Sequence, residues 1–147
     1  MVMAGCAALA HPAGSPFDSF VGLAYADKGR GPAYDCWGLL WLVMRELRGV
    51  DLPSYSDQYV TADDRAALAV LIKGELDPWG EIAAGEEQPF DGVLMKEAGF
   101  PRHIGIVTQP GMVLHVQRGE TSRIERYRHG PLRHRIVGFY RYRADGQ

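Results

Sequence analysis

The sequence predicts an α+β domain, with helices first and an antiparallel sheet after them. Three observations carry this. Apolar residues recur at helical spacing from residue 36 to residue 47, the period drops to two from residue 93 onward, and turn residues separate the later apolar runs.

The bulk properties bound the possibilities. A chain of 147 residues closes one ordinary hydrophobic core, and 46% hydrophobic with 23% charged content is that of a globular protein. A formal charge of -2 argues against wholesale nucleic-acid binding. The two cysteines, Cys6 and Cys36, make no disulfide framework, and no CxxC pair suggests structural zinc. The opening MVMAGC looks like a lipoprotein cleavage box but lacks the charged and apolar stretches of a secretory signal. No run of 18 apolar residues is present to span a membrane. The expectation is a protein made and kept in the cytoplasm unless it leaves with a larger assembly.

Taken in order, residues 1–14 are small and weakly patterned and read as an arm, 15–143 as a single domain, and 144–147 as a tail. FDSFVGLAYAD (17–27) reads as a short helix capped near Ser15 or Asp18, and KGRGP (28–32) as a loop. From Cys36, Trp37, Leu40, Trp41, Met44 and Leu47 keep helical spacing, with Leu39 and Val43 adding a second apolar face. A helix apolar nearly all round belongs in the centre. Asp35 suits its N-cap and Gly49 its stop. LPSYSD (52–57) reads as a turn, TADDRAALAVLIK (61–73) as a second helix, and PWGEIAAGEEQPFDG (78–92) as mostly connection. VLM (93–95), HIGIV (103–107), MVLHV (112–116), SRIERYR (122–128) and RIVGFYRY (135–142) read as strands. Charge is uneven. Residues 51–97 hold eleven acids and three bases, whereas 118–143 hold eight arginines and two acids. Solvated arginines on an outer sheet face explain this, and so does a docking surface for an acidic partner.

One placement invites chemistry. With Asp35 as cap, Cys36 falls in the first helical turn, where unpaired N–H groups and the positive dipole end favour a thiolate and an oxyanion. A small core cysteine beside Trp37 and Leu40 fits the same stretch. A nucleophile needs a base, and His103 and His115 each lie inside an apolar strand. A three- or five-residue loop between the strands pairs Gly105 with His115 and sets His103 diagonally adjacent; a strict two-residue Pro-Gly loop puts the histidines on opposite faces. Gly105 leaves room for an imidazole to lean toward its neighbour. Cys36 would then attack, with His103 as base and His115 orienting it. A Cys/His₂ zinc site is the competing reading, without the short ligand spacing that usually marks one.

DCWGLLWLVMRELRGVDLP, FDGVLM, RHIGIV and MVLHV, in that order, resemble the NlpC/P60 cysteine peptidases, whose pattern is D-C-x-G-[LF], a D-G or G-D strand, H-[VI]-G-[IV] and a histidine twelve residues on. The resemblance runs over roughly residues 17–142. CWGL, RELRGVDLP and GFYRY look most like the short single-domain versions found in tailed phages and phage-like particles. It implies a papain-like α+β fold, and the sequence gives no reason to expect a cofactor. The implied activity is an endopeptidase on peptidoglycan stem peptides, commonly at the D-glutamate–diamino acid bond. Carried over by position, Cys36 matches the nucleophile, His103 the base and His115 the third polar residue. Tyr25 matches a tyrosine near the oxyanion site, although ADKGRG follows it here where the family has a glycine pair. Arg102, beside His103, reads as a surface arginine or as a bidentate contact for a substrate carboxylate. The implied setting is a virion tail tip, made in the bacterial cytoplasm, contacting other tail-tip or hub proteins and acting in the target's periplasm. A structural plug or docking module with little free activity is the alternative, and an amidase or acyl-transfer enzyme on the same fold a third.

Overall fold

The computed structural model describes residues 14–54 and 79–143. Helix α1 (Cys36–Arg48) packs on an antiparallel sheet of six strands among the described residues: β1 (Trp79–Ile82), β2 (Gly92–Glu97), β3 (Phe100–Gln109), β4 (Met112–His115), β5 (Arg123–Arg126) and β6 (Ile136–Tyr142). Their spatial order is β1-β6-β2-β3-β4-β5, so the chain returns at β6 to lie between β1 and β2. This is the α+β architecture expected.

Helix α1 forms where its periodicity placed it. Asp35, in extended conformation, accepts from the Gly38 N–H, and Gly49 ends the helix at φ 65°, a left-handed conformation that favours glycine. Trp37, Leu39, Leu40, Val43 and Met44 are each at most 2% exposed. At about 2 kcal/mol per buried side chain they contribute roughly 10 kcal/mol before conformational entropy is subtracted. Trp37 meets Trp79 edge-on at 6.4 Å, and its indole N–H donates to the Pro53 carbonyl at 2.9 Å, which ties the turn after the helix to its start.

Three expectations need correction. The helix expected over 17–27 is a single 3₁₀ turn, Pro16–Phe20, capped by Ser15. Gly22, at φ 92°, then redirects the chain so that Ala24 bridges Thr121. The stretch read as connection holds β1. Four residues with no alternation carry no strand signal, and β1 exists because β6 offers it an edge from Trp79↔Tyr142 to Ile82↔Phe139. The start of RIVGFYRY belongs to a 3₁₀ turn, Pro131–Arg135, before β6 begins. The arm, the tail and the helix expected over 61–73 lie outside the described residues, apart from Gly14 at the end of the arm.

The β2–β3 and β3–β4 hairpins set the register that matters. Ala98 and Gly99 both have positive φ and close the first as a two-residue turn between Glu97 and Phe100. In the second, Gln109 faces Met112 across Pro110-Gly111, yet Val107 faces Val113, so Thr108 is an extra residue, a bulge. The turn is the two-residue kind that alone would have put the histidines on opposite faces. The bulge shifts the register by one and restores a shared face.

Candidate active site

Cys36 stands at the first position of α1, 2% exposed, and carries a thiol rather than a disulfide. The loop before it is built around one carboxylate. Asp35, fully buried, accepts from Gly38 N–H at 2.8 Å, Lys28 N–H at 3.2 Å and Arg30 Nη1 at 2.9 Å. Arg30 also donates to the Gly29 carbonyl and to Ser54, so a single cap pins residues 28–30 and 54 onto the start of the helix. The close approach explains Gly38: a Cβ there would lie 2.2 Å from the Gly29 carbonyl oxygen. The sequence reading found the cap but missed Arg30. An arginine five residues before a capping acid is its only signal.

Helix α1 packs on β3 and β4, the strands that carry the two histidines. His103 and His115 are 0% and 1% exposed, and Nε2 of His103 lies 2.8 Å from Nδ1 of His115. Gly105 permits this, since a Cβ would sit 2.6 Å from Val113 Cγ2 and 3.1 Å from His115 Cβ. The chain of bonds continues beyond the expected pair. His115 Nε2 lies 2.6 Å from Glu125 Oε1, and Arg123 Nε donates to the same oxygen at 2.9 Å. The Glu125 carboxyl is held down to about 2, chiefly by the hydrogen bond to His115, against the opposing effect of burial and with help from Arg123. Glu125 was missed because it stands in the arginine-rich SRIERYR. Its role depends on β5 pairing with β4 so that Glu125 faces Val113 and Arg123 faces His115.

Tyr25 lies beside the start of α1, since it bridges Tyr34; its hydroxyl donates to Asp27 at 2.8 Å. Arg102 donates from Nε to the Glu97 carbonyl at 3.3 Å and stacks over Phe100, so it is engaged on the β2–β3 hairpin. Among the described residues no group of three or more His, Cys, Asp or Glu side chains is arranged to hold a metal ion. His103 and His115 bond one another ring to ring instead of converging on a point. No helix among the described residues is long and apolar enough to cross a membrane.

Several arginines of residues 118–143 pair with the chain's own acids. Arg123 holds Glu120 and Glu125, Arg128 holds Glu87, and Arg141 forks onto Asp91 through two bonds of 2.9 Å. Part of the charge asymmetry is thereby neutralised internally, where Arg128 and Arg141 reach Glu87 and Asp91 of the acidic segment.

Comparison with known proteins agrees with this geometry. The family model described as NlpC/P60 family matches residues 22–141. Among solved structures, a lipoprotein-like NLP/P60 family protein from Staphylococcus aureus superposes with a TM-score of 0.61 at 20% identity, over 86% of this chain and 39% of that one. The NlpC/p60 domain of the peptidoglycan hydrolase SagA gives 0.57 at 18% identity, over 83% and 88%. NlpC2 from Trichomonas vaginalis gives 0.53 at 19%, over 84% and 42%. The chain thus spans less than half of the Staphylococcus and Trichomonas chains and most of the SagA domain. These likenesses are of fold. No curated protein is similar enough to match. With the family model covering most of the domain and the fold shared, the chain belongs to the NlpC/P60 family.

Proposed function

We propose that this domain is a thiol endopeptidase of bacterial cell-wall peptides. In this reading Cys36 is the nucleophile, His103 the base and His115 the residue that orients it. The observation that carries this is the buried 2.8 Å bond between His103 and His115, on the strands against which the helix headed by Cys36 is packed. With Nε2 of His103 committed to His115, Nδ1 is the ring atom that serves the thiol.

His103 takes the Cys36 proton and the thiolate attacks the amide carbon, its oxyanion facing the start of α1. The tetrahedral adduct collapses as the imidazolium protonates the leaving amine. A thioester is left on Cys36. Water then gives a proton to the same imidazole and attacks the thioester; as this adduct collapses the imidazolium returns the proton to the Cys36 sulfur, and the product acid leaves.

The finer assignment is also a proposal: cleavage between D-glutamate and the diamino acid, in a domain carried at a phage-like tail tip. It is supported by the resemblance of CWGL, RELRGVDLP and GFYRY to the short single-domain versions. A second reading, a plug or docking module, is favoured by the exposures of Cys36 and His103, 2% and 0%, because a site so covered has little free activity until something opens it.

Digestion of purified diamino acid-containing peptidoglycan, with fragments identified by mass spectrometry, separates these readings. Stem-peptide fragments released by wild type and absent with Cys36→Ala and His103→Ala are the expected result. No release by wild type would favour the plug.

A further inference from the structure

The hydrogen-bond chain does not stop at His115, and its far end determines what its near end can do. Glu125 is 25% exposed at its side chain, and Arg123 bonds both its Oε1 and Glu120. Arg126 and His129 line the hollow beside it with Gly130 and Pro131. An ionised carboxylate only accepts hydrogen bonds. The His115 nitrogen 2.6 Å from it, Nε2, must therefore carry a hydrogen. When His115 is neutral its Nδ1 is then bare and accepts, so the hydrogen in the 2.8 Å bond belongs to Nε2 of His103. When His103 is neutral its own Nδ1 is left bare as well. That is the lone pair a general base needs. The proton positions are inferred from the bonding pattern.

We propose that Glu125 is a positioning residue that fixes both imidazoles in the Nε2–H form and so makes Nδ1 of His103 the basic atom. Without it, His115 can hold its hydrogen on Nδ1 and donate to Nε2 of His103. The hydrogen of His103 is then driven to Nδ1, where it cannot accept from a thiol. Glu125 has a second effect along the same bonds. When His103 takes the thiol proton, its cation donates to His115, which donates to a fixed anion, and the imidazolium is stabilised. Arg123 holds that anion in place. The inference rests on the assignment of Cys36 and His103 as nucleophile and base.

The test uses the full chain as wild type, Glu125→Ala and Glu125→Gln, the second keeping the size and the acceptor oxygen in case the first does not fold. Three experiments are run: histidine ¹⁵N chemical shifts for the tautomers, the pH profile of Cys36 alkylation by iodoacetamide, and steady-state kinetics giving kcat and KM on a stem peptide. In wild type both rings are expected as Nε2–H. In Glu125→Ala an Nδ1–H form appears on His115, and kcat falls roughly 10- to 100-fold with KM little changed, the size of loss seen when the partner behind a metal-bound imidazole is removed. The alkylation limb set by deprotonation of His103 moves down by about 1 pH unit. Glu125→Gln recovers the tautomers but not the alkylation limb, since it accepts without charge. Tautomers, alkylation profile and kcat all unchanged in folded Glu125→Ala would overturn the proposal while leaving the peptidase reading intact. Tautomers and alkylation that respond as stated, in a protein that cleaves no stem peptide, would uphold the role of Glu125 and overturn the peptidase.

Discussion

Two of the carboxylate networks in this domain, around Glu87 and around Glu125, differ in one ingredient. Glu87, 3% exposed, accepts from the Tyr127 hydroxyl, from Arg128 Nη2 at 3.0 Å and from the Gly85 N–H at 2.7 Å. Burial pushes its carboxyl up, but these bonds outweigh burial and keep it below its ordinary value. Tyr127 in turn is pushed well above a normal phenol, by burial first and then by Glu87, and accepts from the Gly111 N–H at 2.8 Å. Every hydrogen in that network has one home. It ties the β3–β4 turn to the loop before β2 and has nothing to exchange. In the Glu125 network two imidazoles stand between the acid and its target, and each can hold its hydrogen on either nitrogen. A carboxylate met by fixed donors stabilises; a carboxylate met through histidines sets where protons reside.

That contrast can be broken by mutation. The largest effect is expected where protons move: Cys36→Ala and His103→Ala should each lower stem-peptide hydrolysis by about 10⁴-fold in steady-state assays. Calorimetry should show melting little changed in Cys36→Ala but lowered in His103→Ala, which opens a cavity and leaves Nδ1 of His115 without its partner. Next is Asp35→Ala. It removes the helix cap and leaves the Arg30 guanidinium, 15% exposed at its side chain, without its carboxylate. A loss of about 3 kcal/mol or more is expected in urea unfolding, with Asp35→Asn losing less because it still caps. Gly105→Ala falls between the two kinds of effect. Its methyl must displace Val113 or part β4 from β3, for about 1–3 kcal/mol of stability, and it should also slow hydrolysis by disturbing His115.

The smallest expected effect sharpens the comparison from the other network. Glu87→Gln should leave hydrolysis per folded molecule unchanged and remove about 1 kcal/mol of stability at neutral pH. The sign of its pH dependence follows from the lowered carboxyl. The native state binds the proton less readily than the unfolded chain, so the stability from Glu87 is present above the ordinary value of 4.5 and lost as pH falls through the lower native value. Urea midpoints measured downward from pH 6 should therefore fall more steeply for wild type than for Glu87→Gln.

What could be read from the chain was whatever a local pattern encodes. The cysteine helix announced itself by period, cap and stop, all within the stretch from Asp35 to Gly49. His103 and His115 were visible as polar residues inside apolar strands. Their shared face was not, because it depends on the bulge at Thr108, and a strand buried on both faces has no alternation for a bulge to interrupt. Glu125 was invisible for the same kind of reason: its value comes from cross-strand register with β4, while its neighbours in sequence are arginines. Strand β1 owes its existence to the edge of β6, 57 residues away at Ile82↔Phe139. Arg30 acts through Asp35, a contact made only once the loop folds over the helix start. Non-local pairing, not weak propensity, is what the sequence concealed.

The proposed peptidase depends on His103 activating Cys36. The most direct measurement is the rate of Cys36 alkylation by iodoacetamide at pH 7, followed by mass spectrometry with Cys6 as internal reference, in wild type and in His103→Ala. Cys36 reacting at least about tenfold faster in wild type than in the variant, with Cys6 unchanged in both, is the expected result. Equal rates for Cys36 in the two proteins would contradict it and leave the thiol a core residue.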